Sequence, residues 1–307
     1  MIQQSASTNK ISFAWRLGYL QWQASSTARS GLIIISGGDA AVLSNLLLYL
    51  LAGASAGFLG GLLGIGGGLL IVAALSLTLS NSGIPASEII RVSVATSLAG
   101  MALTFVSSTI AHYRSGNILF ATWLPLAPGL IIGSILGTHL AQFVSGLALR
   151  LIITCFCAIA AWRMAFVAPL QAAEAGHVPR SIWLLPSGIG IATISSLVGI
   201  GGGSLTVPLL VHLGVKPVRA VGTSAACGLV IALTSAVNDM VTLHPHSHAM
   251  PSGMIGYVYV PAAIAASFAA MATAPFGVYV ANRVSGVALK RSFALFLFVI
   301  GIVIAAG

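Results

Sequence analysis

Two stretches of this sequence repeat one dense glycine pattern: Gly64-Ile-Gly-Gly-Gly68 and Gly199-Ile-Gly-Gly-Gly203, each set inside apolar sequence. Three adjacent glycines are poor helix formers because they lose the most backbone freedom on ordering. A helix should break at each cluster. The freed N–H and C=O groups are tolerated at membrane depth only where protein or an aqueous cavity satisfies them. Gly64, Gly66, Gly67, Gly68, Gly199, Gly201, Gly202, Gly203 and Ser204 are therefore the first candidates for solute contact. In the second copy Pro208 follows, and proline suits the first position of a helix; a new helix is expected to start near it, its free amides and positive dipole end suiting an anion. The competing reading of the glycines is close helix packing through small residues.

Four hydroxyls come next, Thr96-Ser97 and Thr223-Ser224, at matched places early in two apolar segments. They either meet between segments or bond their own helix backbone. Arg91 and Arg219 stand just before them, able to attract an anion or to anchor a helix end by snorkelling. With four acidic residues in the chain, a carboxylate relay for a proton or sodium ion has few members, and Glu88 and Asp239 are the ones to test. Asp239 closes an apolar segment, so it is either a functional carboxylate or an interfacial cap. His244-Pro-His-Ser-His248 has metal-ligand character but no carboxylate or thiolate companion, and a hydrophilic loop is the better expectation. No carboxylate pair, Ser-His-Asp set or HExxH motif is present, and no Walker lysine follows either glycine cluster. The expectation is a protein that is not an enzyme and holds no metal and no cofactor. Cys155, Cys157 and Cys227 lie in apolar runs and read as small buried hydrophobes.

The elements that must position these residues are set by composition. Of 307 residues, 58% are hydrophobic and 6% charged, against about 25% charged in an ordinary soluble domain. Ala40 to Leu63 alone is long enough to cross about 30 Å of hydrocarbon as a helix. Comparable runs recur at Val92 to Ala111, Ile118 to Gln142, Leu151 to Ala161, Ile182 to Leu210, Ala220 to Asn238, Ile255 to Asn282 and Ser292 to Gly307, predicting eight to ten membrane segments. The net charge of +9 is scattered over segment ends, which excludes a nucleic-acid face and suits membrane anchoring.

The segments come in two sets. Leu62–Leu75 laid over Leu197–Leu210, an offset of 135, gives nine identities in fourteen positions. Val94–Ser97 matches Val221–Ser224, Ser115–Ile118 matches Ser252–Ile255, and Val144–Arg150 matches Val284–Lys290, in the same order. The expected organisation is a tail over 1–41, with Trp15, Tyr19 and Trp22 suited to the lipid interface, a membrane repeat over 42–167, a connecting loop over 168–181 and a second repeat over 182–307. Whether the runs after the glycine clusters span, half-span or re-enter decides between inverted and parallel copies, and the sequence leaves that open.

The fold class is thus all-α: a polytopic membrane protein of two homologous helical repeats with glycine-broken helices. Duplication of this kind is the construction of secondary transporters, with the site at the repeat interface. The two GIGGG clusters, Val207-Pro208, the Val-x-Thr-Ser pairs, the Ala111-His-Tyr-Arg-Ser-Gly-Asn117 turn and Gly256-Tyr-Val-Tyr-Val-Pro261 resemble the TauE/SafE family of sulfite and organosulfonate exporters, from about Val42 to the end. Ala73, where the second half has Pro208, departs from symmetry. The resemblance implies a permease of the cytoplasmic membrane that moves a small anionic solute, sulfite or a sulfonate, most readily by export. A channel-like facilitator and a non-transporting membrane enzyme or partner are the rival readings.

Overall fold

The computed structural model describes residues 43–62, 66–79, 84–166, 183–243, 252–281 and 286–306. The chain divides into units Met1–Leu47 and Leu48–Gly307; of the first, only the opening turn of a helix is described. Gly64, the tail, the loop joining the two sets of segments and the histidine cluster fall outside the described residues.

The helices are α1 (Leu43–Leu62), α2 (Gly68–Thr78), α3 (Ala86–Arg114), α4 (Phe120–Phe143), α5 (Gly146–Phe166), α6 (Leu184–Val198), α7 (Gly203–His212), α8 (Pro217–Val241), α9 (Val260–Ala281) and α10 (Gly286–Ala306). A two-residue hairpin, β1 (Met254–Ile255) and β2 (Val258–Tyr259), precedes α9. Among the described residues, six helices are long and apolar enough to cross a bilayer: α1, α3, α4, α5, α8 and α9. The protein is a multi-pass integral membrane protein. Many of its large exposed side chains are apolar, including Phe143 at 87% exposure, Leu147, Trp162, Phe166 and Phe276. Cys155 belongs to this lipid-facing surface, whereas Cys157 and Cys227 are buried as expected.

Beside these spans the chain has shorter apolar helices, α2 and α6, where the glycine clusters divert it. At 11 residues, α2 is about 16 Å long, half the hydrocarbon thickness. It folds back along α1: the Tyr49 phenol bonds Thr78 near its end, and Tyr49, Leu75 and Leu79 share one buried cluster with Ile89 and Val92 of α3. The expected start of a helix near Pro208 is corrected. α7 begins at Gly203, with Pro208 inside it, because Gly202 in a left-handed conformation (φ 77°) already turns the chain into the helix.

Long helices pack through small residues. Along α1, Gly53, Gly57 and Gly61 abut the carbonyls of Ala266, Ala270 and Ala274 of α9, while Gly129, Gly133 and Gly137 of α4 abut those of Leu185, Ile189 and Thr193 of α6. A Cβ at any of these positions would collide with backbone. Where lipid gives helices no hydrophobic reason to associate, such close approach supplies the contact energy. α3 lies at the centre, in contact with α2, α5, α8 and α9.

Candidate functional site

Both described parts of the glycine clusters are breaks. Gly66 and Gly67 have φ of 79° and 69°, and Gly199 and Gly202 have φ of 76° and 77°. The two breaks meet. Gly68 lies against the Gly199 carbonyl, and the Ser97 hydroxyl donates to the Gly68 carbonyl at 2.8 Å and, more weakly, to that of Gly199 at 3.4 Å. One buried hydroxyl thus answers carbonyls freed by both discontinuities, the satisfaction that irregular backbone requires in a dry interior.

One stripe of α3 closes this crossing. Met101 and Phe105 follow Ser97 at four-residue intervals, so all three point the same way. Met101 packs on Gly66 and Gly68, and the Phe105 ring lies on Gly66, Gly201 and Gly228. Gly67, Gly199 and Gly202 are likewise filled around by Ala56, Val72 and Ile231. Most of the crossing is therefore packed shut.

Gly66 is the exception. It lies in the lining of a cavity of ≈ 310 Å³ with Gly60 and Gly61 of α1, Thr104, Phe105, Ser107, Ser108 and His112 of α3, Asn117, Val218 of α8 and Pro275 of α9. No acidic side chain is among its described lining residues. Thr104 is 3% exposed and its hydroxyl has no partner among the described residues. A buried hydroxyl without a partner is costly, and it offers a hydrogen bond to whatever occupies the cavity.

A second polar group sits toward the other end of α3. Arg91 donates to Glu88 at 2.8 Å and, through Nε and Nη2, to the carbonyls of Ala141 (3.0 Å) and Val144 (2.7 Å), which end α4. Arg91, Thr138, Gln142, Ser196, Asp239 and Tyr257 line a cavity of only ≈ 20 Å³, room for about one water. Asp239 is 5% exposed, its side chain enclosed by neighbouring helices. Asn238 donates to Thr138 at 2.6 Å, and the hydroxyls of Ser196 and Ser235 share a 2.8 Å bond. Tyr257, between β1 and β2, is pushed up to about 12, first by burial and then by the nearby Glu88 carboxylate. Its hydroxyl therefore stays protonated. It lies near Glu88 and Gln142 without hydrogen-bond geometry to either.

The sulfite exporter TauE/SafE family profile matches residues 49–304. The chain belongs to the TauE/SafE family. A probable membrane transporter protein of Haemophilus influenzae is 33% identical over 261 residues, covering 84% of this chain and 97% of that protein. Another, from Methanocaldococcus jannaschii, is 26% identical over 259 residues, covering 83% and 93%. The probable membrane transporter protein YunE of Bacillus subtilis is 26% identical over 216 residues, covering 64% and 79%. This TauE/SafE protein is a membrane transporter, and its cargo is a small solute.

The expected site residues of the TauE/SafE chain do not form one cluster. Gly66, Gly67, Gly68, Ser97, Gly199, Gly201 and Gly202 gather at the crossing, and Gly203 opens α7 directly after it. Thr96 and Thr223 are drawn away from it, accepting the N–H groups of Tyr259 and Leu119 at 3.0 Å. Ser204 and Ser224 have buried hydroxyls without partners among the described residues. Arg91 and Asp239 line the small cavity, Glu88 reaches it only through its ion pair with Arg91, and Arg219 is exposed at the start of α8. The hydroxyls of the two Thr-Ser pairs do not bond one another. What sequence reasoning missed is the face Thr104, Ser107, Ser108, His112 and the plug Phe105. The Ser107-Ser108 pair, polar in an otherwise apolar run, was the available signal.

Proposed function

We propose that this TauE/SafE protein is a secondary transporter that exports a small anion, sulfite or an organosulfonate, through the cavity beside Gly66. The observation that carries this reading is the cavity's described lining: hydroxyl and amide donors from Thr104, Ser107, Ser108 and Asn117, and, among the described residues, one imidazole and no carboxylate. Such a surface takes an oxyanion by hydrogen bonds, and the apolar faces of Phe105, Val218 and Pro275 accept a short hydrocarbon tail. The start of α2, one residue beyond the left-handed Gly67, adds the positive end of a helix dipole close to Gly66. The family's description supports a sulfur-oxyanion cargo, and the relatives' names support membrane transport.

Burial of the crossing under Met101 and Phe105 favours a mechanism in which the barrier moves, rather than an open pore. The test is thermal-shift binding of sulfite, taurine, sulfoacetate, thiosulfate and acetate to purified protein, followed by flux in proteoliposomes. Sulfur oxyanions are expected to stabilise the protein and to show counterflow. Stabilisation by acetate alone would move the assignment to carboxylates, and absence of flux for all five would overturn it.

A further inference from the structure

The two cavities stand at opposite ends of α3. Thr104 to His112 line the large one, and Arg91, Val94 and Ala95 the small one. α8 touches them in reverse order, with Val218 at the large cavity and Asp239 at the small. α3 and α8 therefore run antiparallel. They are also the helices that carry the matched Val-x-Thr-Ser pairs, 127 residues apart.

Applied along these helices, that spacing carries His112 onto Asp239 and Arg91 onto Val218, while the spacing of the glycine clusters, 135, carries Gly61 onto Ser196. In each pair one residue lines the large cavity and its counterpart lines the small one. Packing follows the same exchange. Gly137 abuts the Thr193 carbonyl, and Gly277 abuts that of Phe58, which precedes Thr193 by 135. Thr96 accepts the N–H just before α9, and Thr223 accepts the N–H just before α4.

We infer that the cavity at Arg91, Thr138, Ser196 and Asp239 is the closed counterpart of the open one at His112, and becomes a vestibule for the same small oxyanion on the opposite membrane face. The inference rests on the transport reading above. The halves are inverted copies meeting at the glycine crossing, and the structure is asymmetric: one vestibule of ≈ 310 Å³, the other of ≈ 20 Å³. On opening, the guanidinium of Arg91, now held by Glu88 and the end of α4, becomes available to the anion; its counterpart Val218 offers no charge in the open vestibule. The two faces therefore bind the solute with different chemistry.

Single cysteines at Ser108 and Ala141, in a protein whose native cysteines are alanine and whose flux is retained, test this in proteoliposomes with a membrane-impermeant thiol reagent. Ser108→Cys is expected to react rapidly from one face and Ala141→Cys slowly from the other. A wedge, Ser196→Trp, should hold the small cavity open, raising the Ala141→Cys rate by about tenfold and lowering that of Ser108→Cys. Thr138→Phe is a second wedge should the first fail to fold. Labelling of both cysteines from the same face overturns the inference, and so does an unchanged Ala141→Cys rate in a folded wedge variant. Normal anion flux alongside either result leaves the transport reading standing, whereas loss of flux for every anion in the parent protein removes that reading instead.

Discussion

The smallest unit with consequences is the contact between Phe105 and the glycines beneath it. A Cβ at Gly201 would fall within the ring, and overpacking of this kind costs about 1–3 kcal/mol. Gly201→Ala should lower the melting temperature in detergent and slow flux, and Gly201→Ala with Phe105→Leu should recover most of both. Failure of the second change to rescue would mean that the glycine serves its backbone and not the ring. Asp239 is the other residue to isolate, because its buried carboxylate shares a cavity with Arg91. If a proton or sodium ion drives the cycle through it, Asp239→Asn should abolish accumulation against a gradient while passive exchange of anion persists. The double change with Glu88→Gln tests the pair. Retained coupled transport in the double variant would remove the carboxylate route.

At the scale of elements, the sequence was most legible where backbone chemistry is local. Glycine triplets break helices whatever surrounds them, so the discontinuities at Gly66 and Gly199 followed from composition alone. Their mutual contact did not, because no spacing along the chain says that two hairpin tips meet. Pro208 misled for a related reason: its preference for a first turn is weaker than the turn already made by Gly202. The Thr-Ser pairs were recognisable as matched, but their divided labour, Ser97 to the crossing and Thr96 to the start of α9, needed the packing of α3 on α9. That division predicts different losses. Thr96→Val removes the acceptor for Tyr259 N–H and Thr223→Val that for Leu119 N–H, each costing about 1–3 kcal/mol for a buried group left unpaired. Both variants should lower the melting temperature with little change in affinity for anion. Ser97→Ala should lower stability and also transport, since it frees carbonyls at the crossing itself. Equal effects of all three on transport would argue that Ser97 is structural only.

For the whole molecule, the sequence left orientation open because basic residues flank segments at both ends. Folding sorts several of the described ones. Arg114 ends α3, Arg163 lies near the end of α5, and Lys216 and Arg219 precede or open α8, which places all four on the side where the large cavity lies. On the other side Arg150 lies in α5's opening turns, and Arg91 is tied to Glu88 and α4. Positive charge favours the cytoplasmic face, so the open vestibule should face the cytoplasm, the loading state an exporter requires. α4, about 36 Å long at 24 residues, separates the exposed Ser115 from the exposed Ser145. In right-side-out membrane vesicles, Ser145→Cys should react with an impermeant reagent and Ser115→Cys should not, and inverted vesicles should reverse the result. The opposite pattern would put the large cavity on the outer face. The same protein would then present its donor-lined vestibule to solute arriving from outside, and uptake would replace export as the direction to measure.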